Sequence, residues 1–165
     1  MPAGIREVVD LLPSTGRAID VACGDGSGSI WLAERGLSVV GIDVSDLAVQ
    51  RAVEAAELAG VADRCRFTVH DLDHGLPPGP PVDLILCHKF SAAELDHDVI
   101  SRLAPGGVLA ITVLSEVDAG PGPFRARPGE LLERFSAREL RFHREAGGTA
   151  TLVGVATGPA GPNAA

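Results

Sequence analysis

The sequence predicts an α/β domain built on one doubly wound, mostly parallel sheet, which a C-terminal antiparallel β-hairpin closes. Short apolar runs alternate with helical patterns along most of the chain, an order typical of a parallel sheet covered by helices on both faces. The first apolar run leads into a glycine-rich turn. Gly147 and Gly148 lie between the last two strand-like segments, which indicates a hairpin.

The first half of the chain alternates helices and strands in regular order. Pro13 ends the first helix and Gly36 ends the second, because both residue types interrupt helices. Ser45 can cap the third helix, whose apolar residues recur at helical spacing. The predicted elements are, in order, a helix over 3–12, a strand over 18–23, a helix over 29–35, a strand over 38–42, a helix over 46–59 and a strand over 65–69.

The second half continues this alternation and then changes in kind. Pro105, Gly106 and Gly107 end the helix that follows the fourth strand. Glycine and proline are frequent over 117–129, which predicts a loop. The predicted elements are a strand over 82–87, a helix over 91–104, a strand over 108–114, a helix over 130–135 and strands over 138–145 and 150–156.

Length and composition limit the classes of protein to consider. The 165 residues indicate one domain, which we place at 1–158, followed by a flexible tail over 159–165. The net charge of -8 argues against broad binding to nucleic-acid phosphates. We expect no transmembrane helix and no secretion signal, because no apolar stretch is long enough. Three widely spaced cysteines favour a reducing compartment, so we expect a cytoplasmic protein.

Candidate ligand-binding residues cluster where the first three predicted strands end. The first strand leads into Asp20-Val-Ala-Cys-Gly-Asp-Gly-Ser-Gly28, where glycines let the backbone approach a ligand closely. The second strand ends at Asp43, whose carboxylate can accept hydrogen bonds from both hydroxyls of a ribose. Asp71 follows the third strand. The glycine spacing differs from GxGxxG, because Ser29 stands at the third position, and this disfavours a nicotinamide-dependent oxidoreductase.

These motifs resemble those of class I S-adenosylmethionine (SAM)-dependent methyltransferases. The glycine turn resembles the family pattern DxxCGxGxG, and Leu103-Ala-Pro-Gly-Gly-Val-Leu109 resembles the family's turn into the fifth strand. The resemblance covers residues 16–158 and implies a Rossmann-like fold, SAM as the cofactor and S-adenosylhomocysteine as the product. The cofactor-binding residues that it implies are Asp20, Ala22, Gly24, Gly26, Gly28, Asp43, Val44, Asp71, Leu72 and Cys87.

Within that superfamily the chain is most similar to the short tellurite-resistance-type methyltransferases. The similarity rests on Phe124-Arg-Ala-Arg-Pro-Gly-Glu-Leu131, a loop that leads into a helix, and on the closing hairpin.

Each of these cofactor residues also has a structural interpretation. The three glycines can be turn residues, and Asp43 can be a helix N-cap, although Ser45 is available for that role. Asp71 can be an acid of a surface turn. Asp20 can hold the turn through backbone N–H groups, or can meet the ligand's ammonium group through a water molecule, and both interpretations stay open.

The end of the fourth strand, Cys87-His-Lys-Phe90, is expected beside the transferred methyl group. We assign His88 as a general base for the acceptor's proton and Lys89, the lone lysine, as a catalytic residue that orients an anionic acceptor. The expected acceptor-binding residues are Phe90, Phe124 and Arg125. The alternative interpretation is that His88 contacts the cofactor or caps the next helix and that Lys89 points to water. In this interpretation the loop that carries Phe124 and Arg125 is solvated.

The predicted function is methyl transfer by in-line displacement to a small-molecule acceptor. The alternative is a catalytically silent SAM-binding regulatory module. No metal site is expected, because the acids and histidines over 70–74 lack a regular ligand spacing. No membrane partner is expected, and the oligomeric state is left open.

Overall fold

The computed structural model describes residues 5–156 as one mixed sheet with helices on both faces. The strands lie in the order β3-β2-β1-β4-β5-β8-β7, and the short strand β6 pairs with β5. The first six strands pair in parallel, whereas β8 is antiparallel to both β5 and β7. The predicted fold class is therefore confirmed. The strands are β1 (Arg17–Val21), β2 (Ser38–Asp43), β3 (Cys65–Val69), β4 (Val82–His88), β5 (Leu103–Ser115), β6 (Arg125–Ala126), β7 (Glu139–Ala146) and β8 (Thr149–Val155).

The helices cover the two faces of the sheet unequally. Their bounds are α1 (Ser27–Glu34), α2 (Asp46–Leu58), α3 (Asp96–Arg102) and α4 (Glu130–Arg134), with 3-10 segments at Arg6–Leu11, Leu72–His74 and Ala93–Leu95. The Arg6–Leu11 segment, α1 and α2 pack on one face, and α3 and α4 pack on the other. Between β3 and β4 the described chain has only the short Leu72–His74 segment and a proline-rich loop.

Alternation of side chains along β4 divides the core into two layers. Leu84 and Leu86 pack in the layer under α1, and Ile85 and Cys87 pack in the layer under α3 and α4. Because successive side chains of a strand point to opposite faces, the continuous apolar run over residues 84–87 is buried on both sides of the sheet. The continuous apolar run of this strand in the sequence reflects that burial.

The C-terminal hairpin has the turn that its sequence predicts. Ala146 pairs with Thr149, so Gly147 and Gly148 form a two-residue connection. Both glycines have positive φ, at 58° and 75°. A turn with positive φ at both central residues has the twist of the flanking strands, and glycine adopts it without steric cost.

Three predicted boundaries are wrong. The predicted helix over 91–104 is a 3-10 segment followed by the shorter α3, and β5 begins at Leu103. Pro105-Gly-Gly107 lies inside β5 at a register shift, where Val82 pairs with Leu103 but Leu84 pairs with Val108. The backbone of Gly106 and Gly107 bonds to Ala156 after β8. The glycines that indicate a turn in the sequence thus form a bulge in a paired strand.

The other two differences lie in segments whose residues have only weak preferences for helix or strand. The first predicted helix is a 3-10 segment, and the Arg35 guanidinium donates hydrogen bonds to its Val9 and Leu12 carbonyls. Strand β6 lies in the predicted loop, and its two residues carry no strand pattern. The beginning of the predicted helix over 3–12 and the predicted tail over 159–165 lie outside the described residues.

Candidate functional site

The carboxyl ends of β1, β2, β3 and β4 meet at one edge of the sheet, and the turn after β1 lies there. Ala22, Gly24 and Gly26 have φ values of 54°, 53° and 79°, a backbone region that side chains with a Cβ rarely adopt. A methyl group added to Gly26 would lie 2.7 Å from the Ala52 Cβ, whereas one added to Gly24 would meet nothing within 4 Å. Gly26 is therefore needed for packing against α2, and Gly24 leaves open space at the sheet edge.

Asp20 is buried beneath the start of α1. Its Oδ2 accepts a hydrogen bond of 2.8 Å from the Ser29 hydroxyl, and a methyl group on Gly28 would lie 2.7 Å from the same oxygen. Burial raises the pKa of Asp20 from 3.8 to about 7, because a buried carboxylate loses its hydration. These contacts give Asp20 a structural role in the turn, and ligand binding through water stays a prediction.

Asp43 connects the end of β2 to the glycine turn. Its Oδ2 accepts from the Gly24 backbone N–H at 2.8 Å, and its Oδ1 accepts from the Ser45 N–H at 2.9 Å. The side chain that caps α2 is Ser45, whose hydroxyl accepts from the Ala48 N–H at 3.2 Å. The carboxylate of Asp43 is thus fixed in orientation beside the turn, with exposed Val44 after it.

Asp71 lies at the same edge, after β3. The His70 N–H donates to the Asp43 carbonyl at 2.9 Å, which places the ends of β2 and β3 together. Asp71 Oδ1 accepts from the Asp73 N–H at 3.0 Å and so caps the 3-10 segment that begins at Leu72. The structure shows the turn role of Asp71, and its contact with a ligand stays a prediction.

Strand β4 ends in Cys87 and His88, which carry a thiol and an imidazole. The Cys87 thiol is buried and donates to the Phe90 carbonyl at 3.2 Å, and burial raises its pKa to about 12. A thiol that stays protonated is a poor nucleophile. His88 Nδ1 is buried without a hydrogen-bond partner among residues 5–156. Burial and the positive charge of Lys89 lower the pKa of His88, which favours the neutral form of its imidazole.

Lys89 has a φ of 60°, and its backbone N–H donates to the Thr112 carbonyl at 2.7 Å. A left-handed conformation at a residue with a long side chain is uncommon and stores strain. Phe90 is partly buried against the core layer of α3 and α4. The chain bends directly after His88.

In the predicted acceptor-binding loop, the Phe124 side chain is exposed, whereas the Arg125 side chain is held by backbone carbonyls. Phe124 has a φ of 60° and is 88% exposed. Arg125 Nη1 donates to the Ser115 carbonyl at 2.7 Å and to the Gly148 carbonyl at 3.4 Å. The Arg125 guanidinium thus holds the loop against the hairpin turn, and its predicted contact with an acceptor is untested.

A row of polar side chains crosses the sheet, and the sequence alone does not predict it. His88 pairs in register with Thr112, Thr112 with Thr151, and Thr151 with Arg144. The two threonine hydroxyls lie 3.0 Å apart, and Arg144 forms an ion pair with Glu7. Directly paired residues share a face of the sheet, so the row leads from His88 to a surface cavity of about 210 Å³ beside Arg144. Only the pairing of strands distant in sequence brings these residues together.

Two kinds of feature are absent from residues 5–156: a membrane-spanning helix and a cluster of metal-binding side chains. Over residues 5–156, no helix is long and apolar enough to cross a membrane. In the same region, the His, Cys, Asp and Glu side chains form no group of three or more that could hold a metal ion.

A family model described as "Methyltransferase domain" matches residues 18–107, more than half of the chain. The chain belongs to this family, the SAM-dependent methyltransferases, whose cofactor is SAM. The glycine turn and Asp43 lie within the matched residues.

Known proteins with similar sequences are also methyltransferases. The tRNA 5-carboxymethoxyuridine methyltransferase of Escherichia coli (strain K12) is 35% identical over 114 residues, covering 64% of this chain and 43% of that protein. The glycine N-methyltransferase of Rattus norvegicus is 32% identical over 157 residues, covering 79% of this chain and 53% of that protein. The chain thus spans about half the length of these relatives.

The fold matches a solved structure of the predicted subgroup. TehB from Haemophilus influenzae, of the tellurite-resistance type, superposes with a TM-score of 0.81 at 16% identity, covering 94% of this chain and 62% of that chain. The expected likeness to this subgroup is confirmed for the fold.

Proposed function

We propose that this chain transfers the methyl group of SAM to a small-molecule acceptor. The observation that carries the proposal is that the glycine turn, the fixed carboxylate of Asp43 and the imidazole of His88 lie at the carboxyl ends of neighbouring strands. SAM supplies a methyl group on a sulfonium, so the S–CH3 bond breaks as the acceptor's lone pair bonds to the methyl carbon and S-adenosylhomocysteine leaves. Such an in-line displacement depends mainly on alignment.

The residues at the edge fit the cofactor. The open space at Gly24 admits a ligand beside the backbone, and the oriented Asp43 carboxylate can accept hydrogen bonds from ribose hydroxyls, since each oxygen has two acceptor positions. Asp71 and Leu72 are proposed for the adenine side, and Ala22 and Cys87 are proposed to contact the cofactor from the ends of β1 and β4.

The acceptor side is proposed around His88. A neutral imidazole can accept the proton that a hydroxyl or amine acceptor loses as it takes up the methyl group. Lys89, next to it, provides the positive charge for an anionic acceptor. A small acceptor is favoured because the chain carries a net charge of -8, which disfavours a phosphate backbone as partner.

Calorimetric titration with SAM tests the cofactor site. Asp43→Asn keeps the size of the side chain but removes the charge, and we expect SAM to bind at least about tenfold more weakly, the loss of a charged hydrogen bond. The matched control is Asp46→Asn, which neutralises an exposed acid in the first turn of α2. Equal SAM affinity in Asp43→Asn and wild type would remove the cofactor site from this edge.

Release of S-adenosylhomocysteine from a panel of small thiols, amines, carboxylates and hydroxylated compounds tests the transfer itself. Turnover of one acceptor supports the proposal. Saturable SAM binding without turnover across the panel would instead support the silent regulatory module.

A further inference from the structure

A second cavity lies on the sheet face that carries α3 and α4, where no helix of residues 5–156 covers β2 and β3. Its volume is about 530 Å³, within the range of small-molecule sites. Its lining contains neither the glycine turn nor Asp43, Asp71 or Cys87. This cavity is therefore separate from the proposed cofactor site.

The cavity has an apolar floor and an apolar wall. Ile19, Val40 and Ile42 of the central strands form the floor, and the prolines of the 77–80 segment form the wall. Arg102 at the end of α3 holds this wall in place, because its Nη2 donates to the Pro77 carbonyl at 2.6 Å. Proline restricts the backbone of the loop, so the cavity is formed without a ligand.

Positive charge is concentrated at the rim. Four of the chain's 14 basic side chains line this one cavity, whereas Asp63 is the one acid among its lining residues. The basic residues are Arg17, Arg64, Arg66 and Arg102. In a chain of net charge -8, this local excess of cations favours an anionic ligand.

Over residues 5–156, none of these four guanidinium groups forms an ion pair with a carboxylate. Arg64 and Arg102 donate to the neutral carbonyls of Gly36 and Pro77. Over residues 5–156 the guanidinium groups of Arg17 and Arg66 have neither a hydrogen-bond partner nor a carboxylate within 4.0 Å. Asp83 lies nearby, where its carboxylate accepts from the Arg17 backbone N–H at 2.8 Å.

The strand register places these groups within reach of one molecule. Ile19 pairs with Val40 and Val40 pairs with Arg66, so the three side chains share a row on one face. Arg17 lies on the same face of β1 as Ile19, two residues before it. A guanidinium group next to an apolar floor matches a carboxylate attached to an apolar body.

We propose that this cavity binds a small amphipathic carboxylate, with its apolar part on the floor of Ile19, Val40 and Ile42 and its charged group between Arg17 and Arg66. The proposal does not depend on methyl transfer, because the cavity shares no residue with the cofactor site. It therefore adds a second ligand site on the same sheet.

Calorimetric titration with decanoate tests this proposal. We expect saturable binding of one decanoate per chain and at least tenfold weaker binding in the double variant Arg17→Gln, Arg66→Gln. The matched control is the double variant Arg51→Gln, Arg141→Gln, which removes two charges elsewhere. SAM titration of each variant checks that the cofactor site is intact.

Two further measurements define the outcome. Amide NMR shifts on adding decanoate should be largest around Val40 and Thr68 and small around Gly24 in the glycine turn. Decyltrimethylammonium, with a similar chain and the opposite charge, should not bind. The proposal is overturned by absence of saturable decanoate binding, by equal weakening in both double variants, or by equal binding of the cationic probe.

Discussion

His88 combines burial, an unpartnered nitrogen and a charged neighbour in one side chain. Its Nδ1 is buried without a partner in the described region, and Lys89 follows it in a left-handed conformation. Burial and the lysine charge both disfavour the imidazolium form. A neutral imidazole at pH 7 is the form that a general base needs, so the electrostatics of this residue suit its proposed role.

NMR titration of the His88 ring should therefore give a pKa below 6.5, the ordinary value for histidine. Lys89→Gln removes the neighbouring positive charge and should raise that pKa, because the imidazolium is then less disfavoured. Arg141→Gln, on the distant strand β7, serves as the control and should leave it unchanged. A His88 pKa at or above 6.5 in wild type would contradict the proposed neutral base.

Helix α4 shows how a short element depends on its contacts. It has five residues, too few to be stable as an isolated helix. Arg134 of α4 makes a bidentate ion pair with Asp96 at the start of α3, at 2.8 and 2.6 Å, and its Nη1 donates to the Ser91 hydroxyl at 2.7 Å. The side chains of the pair are only 11% and 18% exposed.

A double-mutant cycle should find a strong coupling between Arg134 and Asp96. For Arg134→Met and Asp96→Asn we expect an interaction free energy of about 1–3 kcal/mol in urea unfolding, because the pair is bidentate and mostly buried. The control cycle uses Arg141 and Glu139, an exposed pair at 2.9 Å. That pair should couple by less than about 1 kcal/mol, and equal coupling in the two cycles would contradict the expectation.

At the scale of the whole molecule, Asp20 makes stability depend on pH. Its pKa is about 7 in the folded protein and near 4 in the unfolded chain. The folded state therefore binds more protons between these values. The stability that protonated Asp20 contributes is fully present below about pH 4 and is lost as the pH rises through 7.

Asp20→Asn removes this titration and keeps an acceptor oxygen for Ser29. The free energy of unfolding of the variant, relative to wild type, should increase by roughly 1–4 kcal/mol between pH 4 and pH 7. Urea unfolding at several pH values measures it, with exposed Asp63→Asn as the control. A constant difference across this range would show that Asp20 titrates alike in both states.

The fold class, and the position of the glycine turn and Asp43 at the carboxyl ends of the strands, could be predicted because their signals are local. Apolar runs mark the strands, and the residues directly after them, such as Gly24 and Asp43, lie at the sheet edge by geometry alone. The row from His88 to Arg144 could not be predicted, because it depends on the register of β8 against β5. The bulge at Gly106 has the same cause, since its glycine pattern also fits a free turn.

The four arginines of the second cavity could not be found in the sequence either. They belong to three separate segments, since Arg64 and Arg66 lie two residues apart, and each one alone is typical of a solvated surface. Their common environment results from the packing of three strands and the end of α3 around a loop.

The central position of β1 has a consequence for folding during synthesis. Ile19 of β1 pairs with Val40 of β2 on one side and with Ile85 of β4 on the other. One side of β1 therefore stays unpaired until β4, a much later segment, has been synthesised. After β4 and β5 have joined, one side of β5 stays unpaired until β8 has been synthesised. A nascent chain therefore carries an unpaired apolar strand edge until residue 155 has been added, and the dominance of non-local pairing predicts slow folding.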